Sequence, residues 1–187
     1  IPRGRIYLPT SESQEIAADI AAPQILDEEI AYDPRNIWCI PYGMTQFGFL
    51  FSPRQLTAMD ALSCHVRDVR KDVVKDAREA GLSESDADHY ALAVVTFLAL
   101  NLDRCADLNN TICTWNASDQ VLRNLFKRQA IPMVWDFAEA NILAEVVGGW
   151  PTCIERTAKC IETIACQKGA ASQVDAAGAW SDTRGLL

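Results

Sequence analysis

The stretch SPRQLTAMDALSCHVRDVRKDVVKDAREAG, from Ser52 to Gly81, decides the fold because it contains a helix start, a periodic apolar face and a helix end. Ser52 and Pro53 suit the cap and first position, since the hydroxyl can bind a free backbone N–H and proline has none to leave unpaired. Gly81 tolerates the left-handed backbone that closes a helix. Small and apolar residues recur at steps of three and four, as on one helix face: Leu56, Met59, Ser63, Val66, Val69, Val73, Ala77 and Ala80. The pattern predicts a helix over 53–80.

A second long helix is predicted directly after the first. Ser83 and Asp86 form a start that resembles a capping box, with Asp in place of the usual Glu. The helix is expected over 84–108, where Asn109–Asn110 ends it, and it is apolar on nearly every side over 90–100. A helix of that kind is typical of the centre of a bundle.

The remainder of the chain predicts shorter elements. Five prolines interrupt residues 1–41, so this part is expected to be an irregular arm with one short helix near Ser13–Ala21. Later helices are predicted at Ser118–Ala130, Trp135–Val146 and Pro151–Gln167, and a short strand over 169–175.

These elements define the expected fold and its division. The fold class is mainly α: a bundle of about five helices over 42–168, preceded by the irregular arm and followed by a short strand near the C-terminus. Residues 169–187 change in character and are treated as a separate tail. With 187 residues the chain is about the size of one domain.

Composition narrows the possible locations and partners. The N-terminal sequence IPRGRIYLPT lacks the apolar core of a signal peptide. The longest apolar run, Ala91–Leu100, is too short to span a bilayer. We therefore expect a cytoplasmic protein with no membrane segment. The net charge of −8 makes the chain a poor DNA binder by itself, because DNA affinity depends largely on Lys and Arg.

Neither a metal site nor a catalytic group is predicted. The seven cysteines contain no C-x-x-C pair, which zinc ribbons need, and they are expected to be free and mostly buried. His65 and His89, the two histidines, both fall within the predicted helices. No nucleophile triad, phosphate-binding loop or H-E-x-x-H pair is present.

Three segments carry a family resemblance. They are YGMTQFGFLFSPRQL (Tyr42–Leu56), DADHYALAVVTFLALNLDRCADLNNTICTW (Asp86–Trp115) and FKRQAIPMVWDFAEAN (Phe126–Asn141). Each resembles a block of the large bacterial and archaeal adenine-specific DNA methylases built around the DUF1156 family. The similarity extends over about 42–177. The motifs are long and contain rare residue types.

The resemblance implies methyl transfer from S-adenosylmethionine to adenine N6 of DNA, on a base turned out of the helix. Such enzymes hold the cofactor with a glycine-rich strand–loop–helix motif and the base with a DPPYY-like motif, and this sequence contains neither. The resemblance places the first motif upstream of Ile1 and the second after Leu187, so the chain is expected to be a middle fragment that is inactive alone. The first residue, Ile1 rather than Met, agrees with a piece of a longer protein. Residues 169–187 are then either the start of the methylase sheet or a disordered tail.

Asp175 is the one candidate for binding the cofactor. In related methylases an acid at a strand end can approach the adenine of S-adenosylmethionine, and the run QVDAA is similar in position to that acid. It lacks the glycine that precedes the acid in the family. A turn-forming aspartate is the other interpretation.

Five residues are candidates for contacting DNA, because Arg suits phosphate or guanine and Gln suits adenine edges: Arg54, Gln55, Lys127, Arg128 and Gln129. The alternative is that they bind helix-end carbonyls or the carboxylates of Asp136 and Glu139. Three aromatic residues are expected either to stack on an extruded base or to pack in the core: Trp115, Trp135 and Phe137.

Two functions remain open. The chain is either the part of a DNA adenine methyltransferase between its cofactor and base-binding motifs, helping to position DNA, or a non-catalytic helical scaffold that binds partner subunits. The Arg/Gln-rich helix ends favour the first function. The charge of −8 favours the second.

Overall fold

The computed structural model describes residues 8–24, 26–127 and 129–164. These ranges contain four α-helices and one two-stranded antiparallel sheet, which confirms a mainly α fold with an irregular N-terminal region. In chain order the elements are α1 (Glu12–Ala18), α2 (Pro53–Glu79), α3 (Glu84–Leu108), β1 (Thr114–Asn116), β2 (Val121–Arg123) and α4 (Trp150–Thr163). Two short 3₁₀ helices, Ile40–Tyr42 and Phe47–Leu50, precede α2.

Helices α2 and α3 form a helical hairpin, as their terminal residues predict. The Ser52 hydroxyl accepts a hydrogen bond from the backbone N–H of Gln55, and Pro53 begins α2. Gly81 has φ +96° and donates its N–H to the Arg78 carbonyl at 3.0 Å. The Ser83 hydroxyl then caps α3 by accepting from the N–H of Asp86 at 3.1 Å. The short turn between two capped ends makes the helices antiparallel neighbours.

Helix α3 lies between α2 and α4, as predicted, but it is not buried on nearly every side as its apolar composition favours. Over residues 84–100 of α3 only Ala87 and Ala91 are buried, and Tyr90, Leu92 and Leu100 are 54%, 54% and 56% exposed. Among the elements in the described ranges, α2 and α4 pack against α3, and the two further helices that were expected to cover it do not form. None of the helices in the described ranges is long and apolar enough to cross a membrane.

The predicted helix at Ser118–Ala130 is wrong. A β-hairpin takes its place, with Trp115 of β1 opposite Leu122 of β2. Gln120 turns the chain with φ +53°. Ser118 and Asp119 favour such turns because their short polar side chains bond to nearby backbone groups.

The predicted helix at Trp135–Val146 is also wrong. Residues 124–127 and 129–149 contain turns and irregular backbone, and several of their hydrogen bonds reach distant partners. The Ala138 N–H donates to the Cys113 carbonyl at 2.9 Å, and the Trp150 N–H donates to the Ile142 carbonyl at 2.7 Å. These contacts override a helix propensity that is only a weak preference.

The helix predicted at Pro151–Gln167 is present as α4, which begins at Trp150 and ends at Thr163. Its Thr157 hydroxyl bonds to the Asn101 amide oxygen of α3 at 2.8 Å. The short helix expected near Ser13–Ala21 is α1, which is closed by reciprocal bonds between Ser11 and Gln14 and buries no residue. The strand predicted over 169–175 lies outside the described residues.

Two apolar clusters hold these elements together. The first joins the N-terminal region to the middle of the chain: Ile30, Cys39, Leu50, Ile112, Leu125 and Ile131. The second joins α2, α3 and α4: Met59, Cys105 and Cys153. The start of α2 and the end of α3 therefore meet residues 138–149 at the base of the hairpin.

Candidate binding cavity at the base of the helical hairpin

Arg54, at the start of α2, forms an ion pair with Glu139 across the base of the hairpin. Its Nε donates to Glu139 Oε1 at 2.7 Å and its Nη2 donates to Oε2 at 2.6 Å. Two parallel bonds to one carboxylate fix both side chains more strongly than a single contact would. The Arg54 and Glu139 side chains are 44% and 24% exposed, so the pair lies at the surface rim of the base.

Gln55 is buried beside this pair and is only half satisfied. Its Oε1 accepts the N–H of Ser52 at 2.9 Å, completing the capping box of α2, and the residue is 4% exposed. Its Nε2 has no hydrogen-bond partner. A buried donor without an acceptor costs about 1–3 kcal/mol, so this orphan group needs an explanation.

Asn109, at the end of α3, has an unpaired side-chain acceptor. Its Nδ2 donates to the carbonyls of Cys105 at 2.8 Å and Gly148 at 2.7 Å. Its Oδ1 accepts nothing, although the residue is only 2% exposed. One orphan donor and one orphan acceptor thus lie at the same end of the hairpin.

A cavity of about 160 Å³ lies where these groups meet. Ion-paired Arg54 and Glu139 and the half-satisfied Gln55 and Asn109 all line it. The other lining residues are mainly apolar: Ala58, Met59, Ala140, Asn141 and Ile142. The cavity therefore combines polar residues with apolar walls, but it is smaller than the roughly 300–1,000 Å³ of most small-molecule sites.

Asp107 organises the neighbouring loop. The residue is 8% exposed, and its carboxylate accepts from Arg104 Nη1 at 2.7 Å, Asn124 Nδ2 at 2.9 Å and the backbone N–H of Phe126 at 2.8 Å. Its carbonyl also accepts the N–H of Leu125 at 3.0 Å. These bonds attach the chain after β2 to the end of α3.

The predicted DNA-contacting residues divide into two groups. Arg54 and Gln55 belong to the cavity, and the Arg54–Glu139 pair is the contact anticipated as the alternative to DNA binding. Lys127 and Gln129 are exposed on the loop after Phe126. Arg128 and the predicted cofactor contact Asp175 lie outside the described residues. DNA contact by these residues stays a prediction.

The aromatic residues expected to stack or to pack are not buried. Trp115, Trp135 and Phe137 are 42%, 81% and 37% exposed. Trp135 contacts the Tyr42 ring edge to face, with centroids 5.2 Å apart. Within the described ranges, no group of three or more His, Cys, Asp or Glu side chains could hold a metal ion.

Asn109 is the cavity residue that sequence reasoning missed. The pair Asn109–Asn110 resembled an ordinary helix end, because Asn is common there. Its long-range bond to Gly148 requires the fold to be known. The usable signal was a pair of amides directly after a long apolar helix, where a buried end needs side-chain partners.

Comparison with protein-family models, with characterised proteins and with solved structures finds no match for this chain.

Proposed function

We propose that this chain is the helical middle segment of an S-adenosylmethionine-dependent DNA adenine N6-methyltransferase, in which it helps to position DNA. One observation carries the proposal: the three segments that resemble the methylases meet in space. Arg54, from the first segment, pairs with Glu139 from the third. Asp107, from the second, binds the backbone of Phe126 in the third. Residues that form the motifs thus build one cavity and its supporting loop.

The chain's own part in that function is to hold exposed polar side chains in position for contact with DNA. Lys127 and Gln129 are exposed next to Phe126, whose N–H is held by Asp107. A lysine there can neutralise a DNA phosphate. Asp175, the residue proposed for the cofactor, lies outside the described residues.

A titration of labelled duplex DNA with the 187-residue chain, at low and moderate salt, tests the positioning role. Lys127→Ala should weaken binding at low salt and reduce the salt dependence by about one phosphate contact. Lys159→Ala removes the same charge from α4, where Lys159 pairs with Glu155 at 2.6 Å, and should have little effect. The positioning role would be contradicted if the chain did not bind DNA even at low salt. It would also be contradicted if both variants lost the same amount of DNA affinity.

The methylase assignment itself has a separate test. The coding sequence on both sides of this chain should contain a glycine-rich strand–loop–helix motif and a DPPYY-like motif. The complete protein should then transfer a labelled methyl group to adenine in DNA. Absence of both motifs would remove the assignment.

The second candidate is a non-catalytic helical scaffold that binds partner subunits. The exposed surface of α3 favours it, since Tyr90, Leu92 and Leu100 are all more than half exposed on a helix without charged residues over 90–102. Leu92 and Leu100, about two turns apart, lie on one side of the helix, and an exposed apolar patch is typical of protein interfaces. The net charge of −8 points the same way.

A further inference from the structure

The hairpin of α2 and α3 has an apolar groove along one of its sides. Two cavities lie end to end in this groove, one of about 340 Å³ and one of about 510 Å³. Leu98 of α3 lines the first cavity, and Val94 and Tyr90 line the second. The α2 residues of the floor recur at steps of three and four and so form one helical stripe: Leu62, Val66 and Val69 in the first cavity, and Val73, Ala77 and Ala80 in the second. Because the stripes on both helices are continuous, the two cavities are parts of one groove over 62–80 of α2.

Helix α4 covers only the lower part of this groove. Trp150, at the start of α4, lines the first cavity. Further along, α4 follows α3, where Thr157 bonds to Asn101. Ile161 comes one turn after Thr157 on the same face of α4, yet it is 41% exposed. The second cavity is lined by α2, α3 and the turn between them, so within the described part of the chain no helix lies over the upper part of the groove.

Three aspartates form the outer rim of the groove on α2. Asp68 and Asp72 line the first cavity and Asp76 lines the second, and all three are exposed. They are four residues apart, so they follow one row along the helix in steps of about 6 Å. Within the described ranges, four other residues make the ion pairs of α2: Arg54, Arg70, Lys75 and Arg78. Their partners do not include the three aspartates, and Lys71 lines neither cavity, so the rim keeps its negative charge.

We infer that this groove is the binding site of an amphipathic helix from a partner protein, with apolar residues on one face and Lys or Arg at steps of four along one flank. A groove between two packed helices accepts the apolar face of a third helix. The basic residues of that helix, also about 6 Å apart, match the spacing of the aspartate rim. Residues 62–80 of α2 extend over about 27 Å, which a helix of about 18 residues matches.

The charge of the groove opposes other occupants. DNA would place phosphates against the three aspartates, which would repel them. A second copy of this chain is opposed by the net charge of −8 on each copy. Leu92 and Leu100 line neither cavity, so the groove is separate from the exposed apolar patch on α3. The inference stands on the groove whether or not the chain belongs to a methylase, and a peptide titration and a DNA titration can fail independently.

A synthetic peptide of about 18 residues tests the site, with leucines on one helical face and lysines at steps of four beside them. Its control is a peptide of the same composition and net charge, with the order scrambled so that neither stripe forms. Fluorescence anisotropy of each labelled peptide, titrated with the 187-residue chain, measures the affinity. The first peptide should bind to saturation and at least about tenfold more tightly than the scrambled peptide. The NMR methyl signals of Leu62, Val73 and Leu98 should shift on binding, whereas those of Leu92 and Leu100 should not.

Two triple variants separate the aspartate rim from the overall charge of the chain. The first removes the rim: Asp68→Asn, Asp72→Asn and Asp76→Asn. The second removes the same charge at exposed positions outside the groove: Asp19→Asn, Asp103→Asn and Asp136→Asn. The first variant should weaken peptide binding about tenfold, since three ion pairs of modest strength are lost together. The second should weaken it less than about twofold, because solvent and salt screen distant charges.

The inference is overturned if the first peptide shows no saturable binding. Equal affinity for the scrambled peptide, or equal losses in the two triple variants, would mean that net charge alone attracts the peptide and would overturn it as well. Self-association of the chain alone, accompanied by shifts of the groove methyl signals as its concentration rises, would assign the groove to a second copy instead. If the first triple variant fails to fold, the comparison of the two peptides on the unaltered chain still decides.

Discussion

Arg54 and Glu139 are 85 positions apart in the sequence, yet they form a two-bonded ion pair that joins the start of α2 to the irregular segment before α4. The pair closes one side of the cavity and links two of the segments that resemble the methylases. Its side chains are partly exposed, so solvent screens the attraction, but the fork geometry keeps both bonds short.

We expect Glu139→Gln to lower the free energy of unfolding by about 1 kcal/mol. An ion pair with two parallel bonds stabilises a fold more than an ordinary exposed ion pair does. Urea denaturation at low and high salt measures the effect, which should shrink as salt rises. Glu155→Gln on α4 is the control, because its pair with Lys159 is 65–69% exposed and is screened by solvent, so its loss should change stability less. A larger loss in the control would contradict the assigned role of the pair.

Asp107→Asn should destabilise the protein by about 2 kcal/mol, because an amide NH₂ would replace one oxygen that now accepts bonds from Arg104 and Asn124 or from Phe126. Asp103→Asn, an exposed position on the same helix, is the matched control and should change stability by less than about 0.5 kcal/mol. Hydrogen exchange at the Phe126 amide should accelerate only in the first variant. Unchanged stability together with unchanged exchange would show that Asp107 does not hold the loop.

The two long helices were predictable because each carries local signals at both ends. Ser52, Gly81 and Ser83 act through bonds to residues at most a few positions away, so a sequence pattern contains the whole interaction. The burial of α3 was not predictable in the same way. Apolar composition favours burial, but the helices expected to cover it were mistaken, and Leu92 and Leu100 stay exposed.

The irregular segment between β2 and α4 could not be predicted because several of its hydrogen bonds are long-range. Ala138 binds Cys113, and Gly148 binds Asn109 39 positions earlier, and no local pattern encodes either contact. The candidate site shows the same division. The polar residues Arg54 and Gln55 stood out in the sequence, whereas the partner Asn109 appeared to be a helix terminator.

Leu92→Gln and Leu100→Gln should each change stability by less than about 0.5 kcal/mol, because both side chains are more than half exposed. Ala91→Gln, beside Leu92, should cost more than about 3 kcal/mol, since Ala91 is 0% exposed and the added atoms have no space. Thermal unfolding measures both effects. Sedimentation velocity of the two Leu variants shows whether the surface mediates association. A large destabilisation by both Leu variants would mean that another part of the protein covers this face of α3.

Gly81→Ala and Gly148→Ala both introduce backbone strain, but only the second also brings a Cβ into close contact with neighbouring side chains. The two glycines have φ of +96° and +92°, so alanine is strained to a similar degree at both, at a cost of about 1–2 kcal/mol. A Cβ at Gly81 meets nothing within 4 Å, whereas one at Gly148 lies 3.3 Å from both Leu108 Cβ and Leu122 Cδ1. Gly148→Ala should therefore cost about 1–3 kcal/mol more, measured by urea denaturation. Equal losses would show that the contacts with Leu108 and Leu122 relax freely.

Buried thiols should make stability fall at high pH. Burial, and then the neighbouring Cys153 thiol, raise the pKa of Cys105 from 9.0 to about 12. Below pH 9 the thiol is protonated in both states. As pH rises from about 9 to 12, the unfolded chain releases this proton and the folded chain keeps it, so the free energy of unfolding falls. Cys105→Ala should flatten this part of the stability profile relative to the unaltered chain.

Thiol labelling at pH 8, followed by mass spectrometry of the peptides, tests the same burial directly. Exposed Cys64 and Cys160 should react quickly, whereas Cys105 and Cys113 should react only after unfolding, since burial raises the pKa of both buried thiols. The thiolate is the reactive form, so protection requires both a raised pKa and a closed core. Rapid labelling of Cys105 in the folded chain would mean that α4 separates from α3 often enough to expose the second apolar cluster, and the high-pH prediction would fail with it.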